Sequence, residues 1–342
     1  MYPTIRNSRE IIKGVLLLYS APLRQKLSLL FALSLSAISL VLPTRQVAAE
    51  TRRESEWHAG NWQPAPGFKQ SPIWPRVIPD TFKVDGSEEL NKEGDFVGKV
   101  SIPTMTIYPA KGRPSDTAVV VFPGGGYWCL AMKLEGTDIC DWLTSRGITC
   151  ILLKYRVPGD KLYPRSGCYP SHAAALDDAQ RTIRLVRSRA KELKVDPHKI
   201  GVIGFSAGGH LVAATSTLYD KEIYKPVDAI DRLSCRPDFA IAVYPGHLTE
   251  HTKKKFELNK YIPVTKNTPP TFIVQAADDP VDTVDNSLVY FAALKEAKVA
   301  AELHIFAKGK HAFGLTPSSL PVSDWPKLAE RWLEEIKMLP KQ

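Results

Sequence analysis

From residue 97 onward the chain alternates short, almost wholly apolar runs with longer amphipathic ones. The apolar runs at 119–122, 149–154, 199–205, 239–244, 271–276 and 301–306 predict strands. Between them, 135–146, 173–193, 207–218, 284–297 and 325–338 predict helices; in 173–193 the residues Ala175, Ala179, Ile183, Val186 and Ala190 share one face. Strands that are apolar on both faces must be covered on both faces, so the pattern predicts a mostly parallel sheet in a three-layer α/β/α arrangement. Ahead of this rhythm, Val100, Ile102, Met105, Ile107 and Tyr108 suggest strands or a hairpin interrupted by Pro103.

Two stretches break the pattern. Residues 50–95 are rich in Trp and Pro (Trp57, Trp62, Trp74, Pro64, Pro66, Pro72, Pro75, Pro79) and show neither period, which predicts an irregular arm, laid over the domain or serving as a linker. Residues 246–270, with Lys253, Lys254 and Lys255, read as a charged insertion, either a partial lid or a solvated excursion.

The amino terminus has a different texture. Arg6, Arg9, Lys13, Arg24 and Lys26 precede an apolar stretch, 27–42, which is followed by Val47-Ala48-Ala49. This is the pattern of a secretory signal with a small-residue cleavage site. Sixteen residues, broken only by small serines, are slightly short for a hydrocarbon core of about 30 Å, and an uncleaved anchor is the alternative. The expected organisation is therefore a signal peptide over 1–49, the arm over 50–95 and a catalytic α/β domain over 96–342. Export would place the product in the periplasm or outside the cell, with no stable membrane association unless the signal is retained.

Charge changes little beyond this. Of the net +9, +5 falls within the first 49 residues, and the +4 left over is spread along the chain, which argues against a nucleic-acid partner. With 44% hydrophobic and 24% charged residues the composition is that of an ordinary globular protein. Five cysteines, Cys129, Cys140, Cys150, Cys168 and Cys235, are an odd and sparse set, read mostly as small buried hydrophobes. No Cys-x-x-Cys or His-Glu-x-x-His occurs, so no metal site is expected.

The chemistry concentrates at the ends of predicted strands. Gly204-Phe-Ser206-Ala-Gly208 falls directly after one strand and directly before a helix, the setting in which Gly-x-Ser-x-Gly forms a nucleophile elbow. Such a serine needs a base, and of the eight histidines His311 fits, in a glycine-containing loop between the last strand and the last helix. His304, inside that strand, and His210, one helical turn past the serine, read as structural. The orienting acid should follow the strand 271–276, where Asp278 and Asp279 compete. Asp279 is preferred, four residues after Gln275 as in the hydrolase pattern His-Gly-x-x-Asp, with Asp278 holding the turn and Asp282 a loop residue. Gly124, Gly125 and Gly126 follow the strand 119–122; the N–H groups of Gly125, Gly126 and Ala207 are the expected oxyanion donors. Tyr127 and Trp128, beside them, are candidate substrate-binding aromatics.

Together with Leu134-Glu135-Gly136-Thr137, Lys154-Tyr155-Arg156-Val157-Pro158 and Ala175-Leu176-Asp177-Asp178-Ala179-Gln180-Arg181, these motifs resemble the α/β-hydrolase-fold serine esterases. The closer similarity is to a bacterial secreted branch of acetylxylan and feruloyl esterase-like enzymes, often labelled xylanase. It covers about 97–339. Pro123 stands where many hormone-sensitive-lipase-like relatives have His, and Gln275-Ala276 where His-Gly is common. The resemblance implies an α/β-hydrolase fold and a carboxylic ester hydrolase. It would need no cofactor and would cleave short acyl esters, acetyl above all, on an acylated carbohydrate such as xylan or on a small ester. A different carboxylesterase or a peptidase of the same fold is the first alternative. A glycoside hydrolase, for which no motif pairs two carboxylates, and a non-catalytic carbohydrate-binding protein have weaker support.

Overall fold

The computed structural model describes residues 57–79, 84, 86–158, 168–249 and 256–340, so the predicted signal over 1–49 lies outside the described residues. Among the described residues there are twelve strands. The first four are β1 (Trp57–Ala59), β2 (Gln70–Pro72), β3 (Glu89–Asn91) and β4 (Phe96–Gly98), followed by β5 (Thr104–Tyr108), β6 (Ala118–Phe122), β7 (Cys129–Ala131) and β8 (Thr149–Lys154). The last four are β9 (Ile200–Phe205), β10 (Phe239–Val243), β11 (Thr271–Ala276) and β12 (Ala301–Phe306). The principal helices are α1 (Asp138–Ser145), α2 (Ala174–Ser188), α3 (Ala207–Thr217), α4 (Asp285–Glu296) and α5 (Trp325–Glu335).

Eight strands form one sheet in the order β12-β11-β10-β9-β6-β8-β5-β2. From β8 to β12 every neighbouring pair is parallel, while β5 runs antiparallel to both β8 and β2. The reason lies in composition: every residue of β6, β8, β9, β10 and β11 is buried, as apolar strands covered on both faces must be. Strand β12, at the edge, is only half-buried, and its polar Glu302 and His304 pair with each other. Helices α1 and α5 meet through the rings of Trp142 and Trp325, 5.3 Å apart. Helix α3, buried along its whole length, is held between the sheet and α2.

Three sequence expectations are corrected. Among its described residues the arm over 50–95 is not irregular throughout: β1 and β3 join β4 and β7 in a second, antiparallel sheet, and β2 forms the edge of the main sheet. Three-residue strands leave no periodic trace, and their partners lie far along the chain. The Trp side chains supply the docking, with Trp62 and Trp74 buried and the Trp74 indole donating to Asp178 Oδ1 at 2.8 Å. The helix expected over 173–193 ends at Ser188, and a separate turn, Ala190–Leu193, follows Arg189. The helix expected from 135 begins instead as a π-helical turn, Lys133–Thr137, closed by the Thr137 N–H donating to the Met132 carbonyl at 2.8 Å. Between Val100 and Tyr108 there is one strand, β5, with Val100 in an isolated bridge to Val157.

The five cysteines divide into one disulfide, Cys140–Cys150, between α1 and β8, and three buried thiols, Cys129, Cys168 and Cys235.

Beyond the end of β8 a buried cation ties arm, sheet and helix together. Arg156 donates from Nε to both Asp178 oxygens at 3.0 and 2.9 Å and from Nη2 to Oδ1 at 2.8 Å, with Asp177 at 3.7 Å, and from Nη1 to the Pro79 carbonyl. Removing one member of a buried pair leaves the other desolvated without compensation, a cost of about 3–5 kcal/mol. Arg156→Ala is therefore expected to lower the unfolding free energy by roughly that amount in urea titration, well beyond the loss for an exposed pair such as Lys111–Asp141.

Candidate active site

The sharp turn from β9 into α3 puts Ser206 at φ 52° and ψ −118°, outside the regions that side-chain-bearing residues favour. What permits the turn is the absence of side chains on either side. A Cβ at Gly204 would run into the Gly208 carbonyl oxygen, and one at Gly208 into the Phe122 carbonyl oxygen. What holds the turn is hydrogen bonding: the Ser206 N–H donates to Val243 O at 3.1 Å. Its carbonyl accepts from Gly209 at 2.9 Å, His210 at 3.2 Å and Gly246 at 3.1 Å.

The parallel strands deliver the other groups to the same edge. Register pairs Phe122 with Gly204, Phe205 with Val243, and Ala276 with Phe306, so the loops after β6, β9, β11 and β12 emerge together. At that edge His311 Nε2 lies 3.0 Å from Ser206 Oγ, and His311 Nδ1 lies 2.7 Å from Asp279 Oδ2. Asp279 is itself held by N–H donors from Val281 at 2.8 Å and Asp282 at 3.0 Å, and by Gln275 Nε2 at 3.1 Å. Asp278 accepts instead from the N–H groups of Gly309 and Lys310 at 2.8 and 2.7 Å, clasping the loop that carries the histidine. The structure thus brings Ser206, His311 and Asp279 together and gives Asp278 the turn.

Electrostatics sharpen the arrangement. Burial pushes Asp279 toward its neutral form, but the His311 hydrogen bond, the two N–H donors and the imidazole charge outweigh it and hold the carboxyl below its ordinary range. Burial likewise disfavours a charged His311, and the bond to Asp279 together with the charges of Asp279, Asp282 and Glu135 reverses that, raising the imidazole above its usual value.

The glycine loop closes the site from the β6 side. Gly124 donates its N–H to Glu135 Oε2 at 2.7 Å, and a Cβ there would come within 2.6 Å of both that oxygen and the Phe205 carbonyl. Gly125 and Gly126 follow at φ 128° and 62°. The Gly125 carbonyl is engaged by the N–H groups of Trp128 and Cys129, both at 3.1 Å, which fixes the peptide on the far side of the loop. Ala207 is the first residue of α3, where an N–H has no partner inside the helix. N–H groups of a glycine loop and a helix start beside an oriented serine are of the kind that stabilises an oxyanion, and the Ser206–His311–Asp279 arrangement is competent for acyl transfer.

Four residues depart from what the sequence suggested. Tyr127, a candidate substrate-binding aromatic, is 1% exposed, and its hydroxyl lies 2.8 Å from His210 Nδ1, so it offers no surface to a ligand. Trp128 stays half-buried, its ring 5.5 Å from that of Trp57 of the arm and tilted 58° to it. Glu135, in the sequence only part of the Leu134-Glu135-Gly136-Thr137 motif, has a structural task. Buried beneath the glycine loop and also accepting from the Tyr244 hydroxyl at 2.9 Å, it fastens the loop to β10; burial pushes its carboxyl up despite those hydrogen bonds. Asp282, expected as a plain loop residue, accepts from Ser206 Oγ at 3.2 Å. Its spacing of three from Asp279, across one tight turn, was the only hint.

Comparison with known proteins agrees with this geometry. The family model BD-FAE matches residues 105–244. An acetylxylan esterase of Xylanibacter ruminicola is 30% identical over 246 residues, 66% of this chain and 45% of that protein. A protein of Butyrivibrio fibrisolvens named endo-1,4-beta-xylanase B is 29% identical over 250 residues, 67% of this chain and 38% of its own length. The chain thus spans less than half the length of these two curated relatives. A solved structure described as an acetyl ester-xyloside bifunctional hydrolase from Caldicellulosiruptor lactoaceticus superposes with a TM-score of 0.64 at 33% identity, covering 79% of this chain and 97% of that one. With its sheet order, its elbow and a relative of that identity matched over nearly its full length, the chain belongs to the α/β-hydrolase esterases, in the branch that the acetylxylan esterase represents.

Proposed function

We propose that the protein is a serine esterase that removes short acyl groups, acetyl above all, from a carbohydrate such as xylan. The observation that carries the reading is the unbroken chain from Ser206 Oγ through His311 to Asp279, 3.0 and 2.7 Å long, set under the glycine loop. Ser206 Oγ attacks the ester carbonyl while its proton passes to His311 Nε2, and Asp279 stabilises the imidazolium. The carbonyl oxygen takes up the negative charge against the N–H groups of Gly125, Gly126 and Ala207. Collapse of this intermediate breaks the bond to the alcohol, which leaves with the proton from Nε2. Water then attacks the acyl-serine by the same route and releases the carboxylic acid.

The substrate class and the short acyl preference are supported by the names of the relatives, an acetylxylan esterase and an acetyl ester-xyloside bifunctional hydrolase among them. Export after cleavage at Ala49 is part of the same proposal, and the Cys140–Cys150 disulfide suits an oxidising compartment. N-terminal sequencing of the released protein should begin at Glu50; a retained Met1 on a membrane-bound product would mean an anchor.

Ser206→Ala and His311→Ala should each lower kcat by about a thousandfold or more without unfolding the protein, since the groups act as a unit. Near wild-type turnover of purified Ser206→Ala would reject the mechanism, and reducing-sugar release from unsubstituted xylan would favour the glycoside-hydrolase reading instead. On p-nitrophenyl esters kcat/KM should fall from acetate to butyrate to octanoate, by roughly tenfold or more overall; a maximum at octanoate would exclude the short acyl preference.

The pH profile tests the base. Only neutral His311 can accept the serine proton, so activity is lost as pH falls through its pKa. Because that pKa is raised, the acid limb of kcat/KM should lie above the 6.5 of an ordinary histidine. Asp279→Asn should move whatever activity remains to a limb at lower pH, because the largest group that favours the imidazolium is gone.

A further inference from the structure

We infer that Asp282 selects the alcohol half of the substrate: its carboxylate accepts a hydrogen bond from the hydroxyl next to the esterified one on a sugar ring, and so leaves the Ser206 proton to His311. The inference deepens the esterase reading and rests on it.

Acyl transfer needs one acid, and Asp279 already fills that place at Nδ1 of the imidazole. Asp282 faces the opposite nitrogen, with Oδ2 3.9 Å from His311 Nε2 and 3.2 Å from Ser206 Oγ. The serine hydroxyl has a single proton and two acceptors at almost the same distance, Nε2 at 3.0 Å and this carboxylate. While the proton points to Asp282, the nucleophile is not primed by its base. A competing donor that occupies Asp282 removes that alternative.

The placement says where the donor would come from. The leaving oxygen must come within hydrogen-bond reach of Nε2 to be protonated. Asp282 Oδ2 then stands close to whatever is attached one carbon further along the alcohol. A carboxylate only accepts, and a hydroxyl there gives a charge-assisted bond that an alkyl or aryl alcohol cannot offer. Vicinal hydroxyls are the chemistry of a partly acylated pyranose.

The carboxylate is also built in. The Asp282 N–H donates to Asp279 Oδ1 at 3.0 Å and its carbonyl accepts from Gln275 Nε2 at 2.8 Å, so the loop that sets the triad acid sets this side chain as well. Gly246 makes the space, since a Cβ there would sit 2.5 Å from both carboxylate oxygens. The groups around the imidazole are Asp279 and Asp282 from the loop after β11, Glu135 from the π-helical turn, and the Tyr244 ring at the end of β10. Asp282 is the one that touches both reacting partners.

The test begins with the unaltered protein. Wild-type kcat/KM on methyl 2-O-acetyl-β-xyloside is expected to exceed that on its 3-deoxy analogue by roughly ten- to a hundredfold, a typical range for a charge-assisted hydrogen bond. Asp282→Ala should bring the two rates to within about threefold, and Asp282→Asn, which keeps an acceptor oxygen, should retain part of the preference. The loss for Asp282→Ala should be at least about tenfold greater on the xyloside acetate than on 4-nitrophenyl acetate, which has no hydroxyl to offer; a merely structural role would lower both alike. Equal wild-type rates on the two xylosides, or an unchanged preference in Asp282→Ala, would overturn the inference while leaving the esterase intact. Ser206-dependent turnover of 4-nitrophenyl acetate with neither xyloside accepted would overturn both the inference and the carbohydrate assignment. Loss of any Ser206 dependence would overturn the esterase reading itself.

Discussion

The backbone of Ser206 is the constraint from which the rest of the site follows. A residue with a side chain held at φ 52° and ψ −118° costs of order 1–3 kcal/mol and persists only where its surroundings leave no alternative. Those surroundings are the close approach of α3 to β6 and β9 through Gly204 and Gly208, and four backbone hydrogen bonds on the single residue Ser206. One of the four comes from Gly246, the residue that also makes space for Asp282. The strained turn, the Asp282 carboxylate and the return of the chain after β10 are therefore one assembly, and a side chain at Gly246 would disturb all three.

Three carboxylates surround one imidazole, and burial with hydrogen bonding sorts them. Asp279 is loaded with donors, which favours the charged form that an imidazolium needs beside it. Glu135 has two donors and no cation in hydrogen-bond contact, so burial prevails and its carboxyl is pushed up. It works as a two-handed acceptor between Gly124 and Tyr244 rather than as a second acid for His311. Glu135 sits on a π-helical turn, and one extra residue in that turn is a common way to aim a side chain at a functional site.

The parts that could be read from the sequence are those whose physics is local. Strands β8 and β11 fall at the residues their apolar runs predict, because a strand covered on both faces carries its own signature. Ser206, His311 and Asp279 were legible for a related reason: strand-end loops of a parallel sheet collect at one edge, so their order along the chain implies their meeting in space. Pairings between distant segments were hidden. Nothing local in Trp57-His58-Ala59 announces a strand when its partner is Glu89–Asn91. Asp282 and Glu135 lay beside recognised motifs, but their roles depend on atoms from Ser206, Gly124 and Tyr244. Tyr127 misled because an aromatic next to the oxyanion glycines looks available, and only the packed rings of Tyr155, His210 and His247 show that it is not.

The arm then acquires a role that its composition did not suggest. A glycine loop is useful to an oxyanion only if its N–H groups keep their directions, and glycine gives up more conformational freedom than any other residue when it is fixed. The loop 123–128 is therefore anchored at both ends. Before it lies β6, deep in the main sheet; after it lies β7, which pairs through Cys129, Leu130 and Ala131 with Gly98, Val97 and Phe96 of β4. Strand β4 is in turn held by β3, and β3 by β1, while Trp57 of β1 rests on Trp128 at the loop's own end. The small second sheet thus acts as the second anchor of the glycine loop. The rigidity that transition-state stabilisation requires comes in part from residues 57–98, outside the α/β layers that carry the catalytic groups.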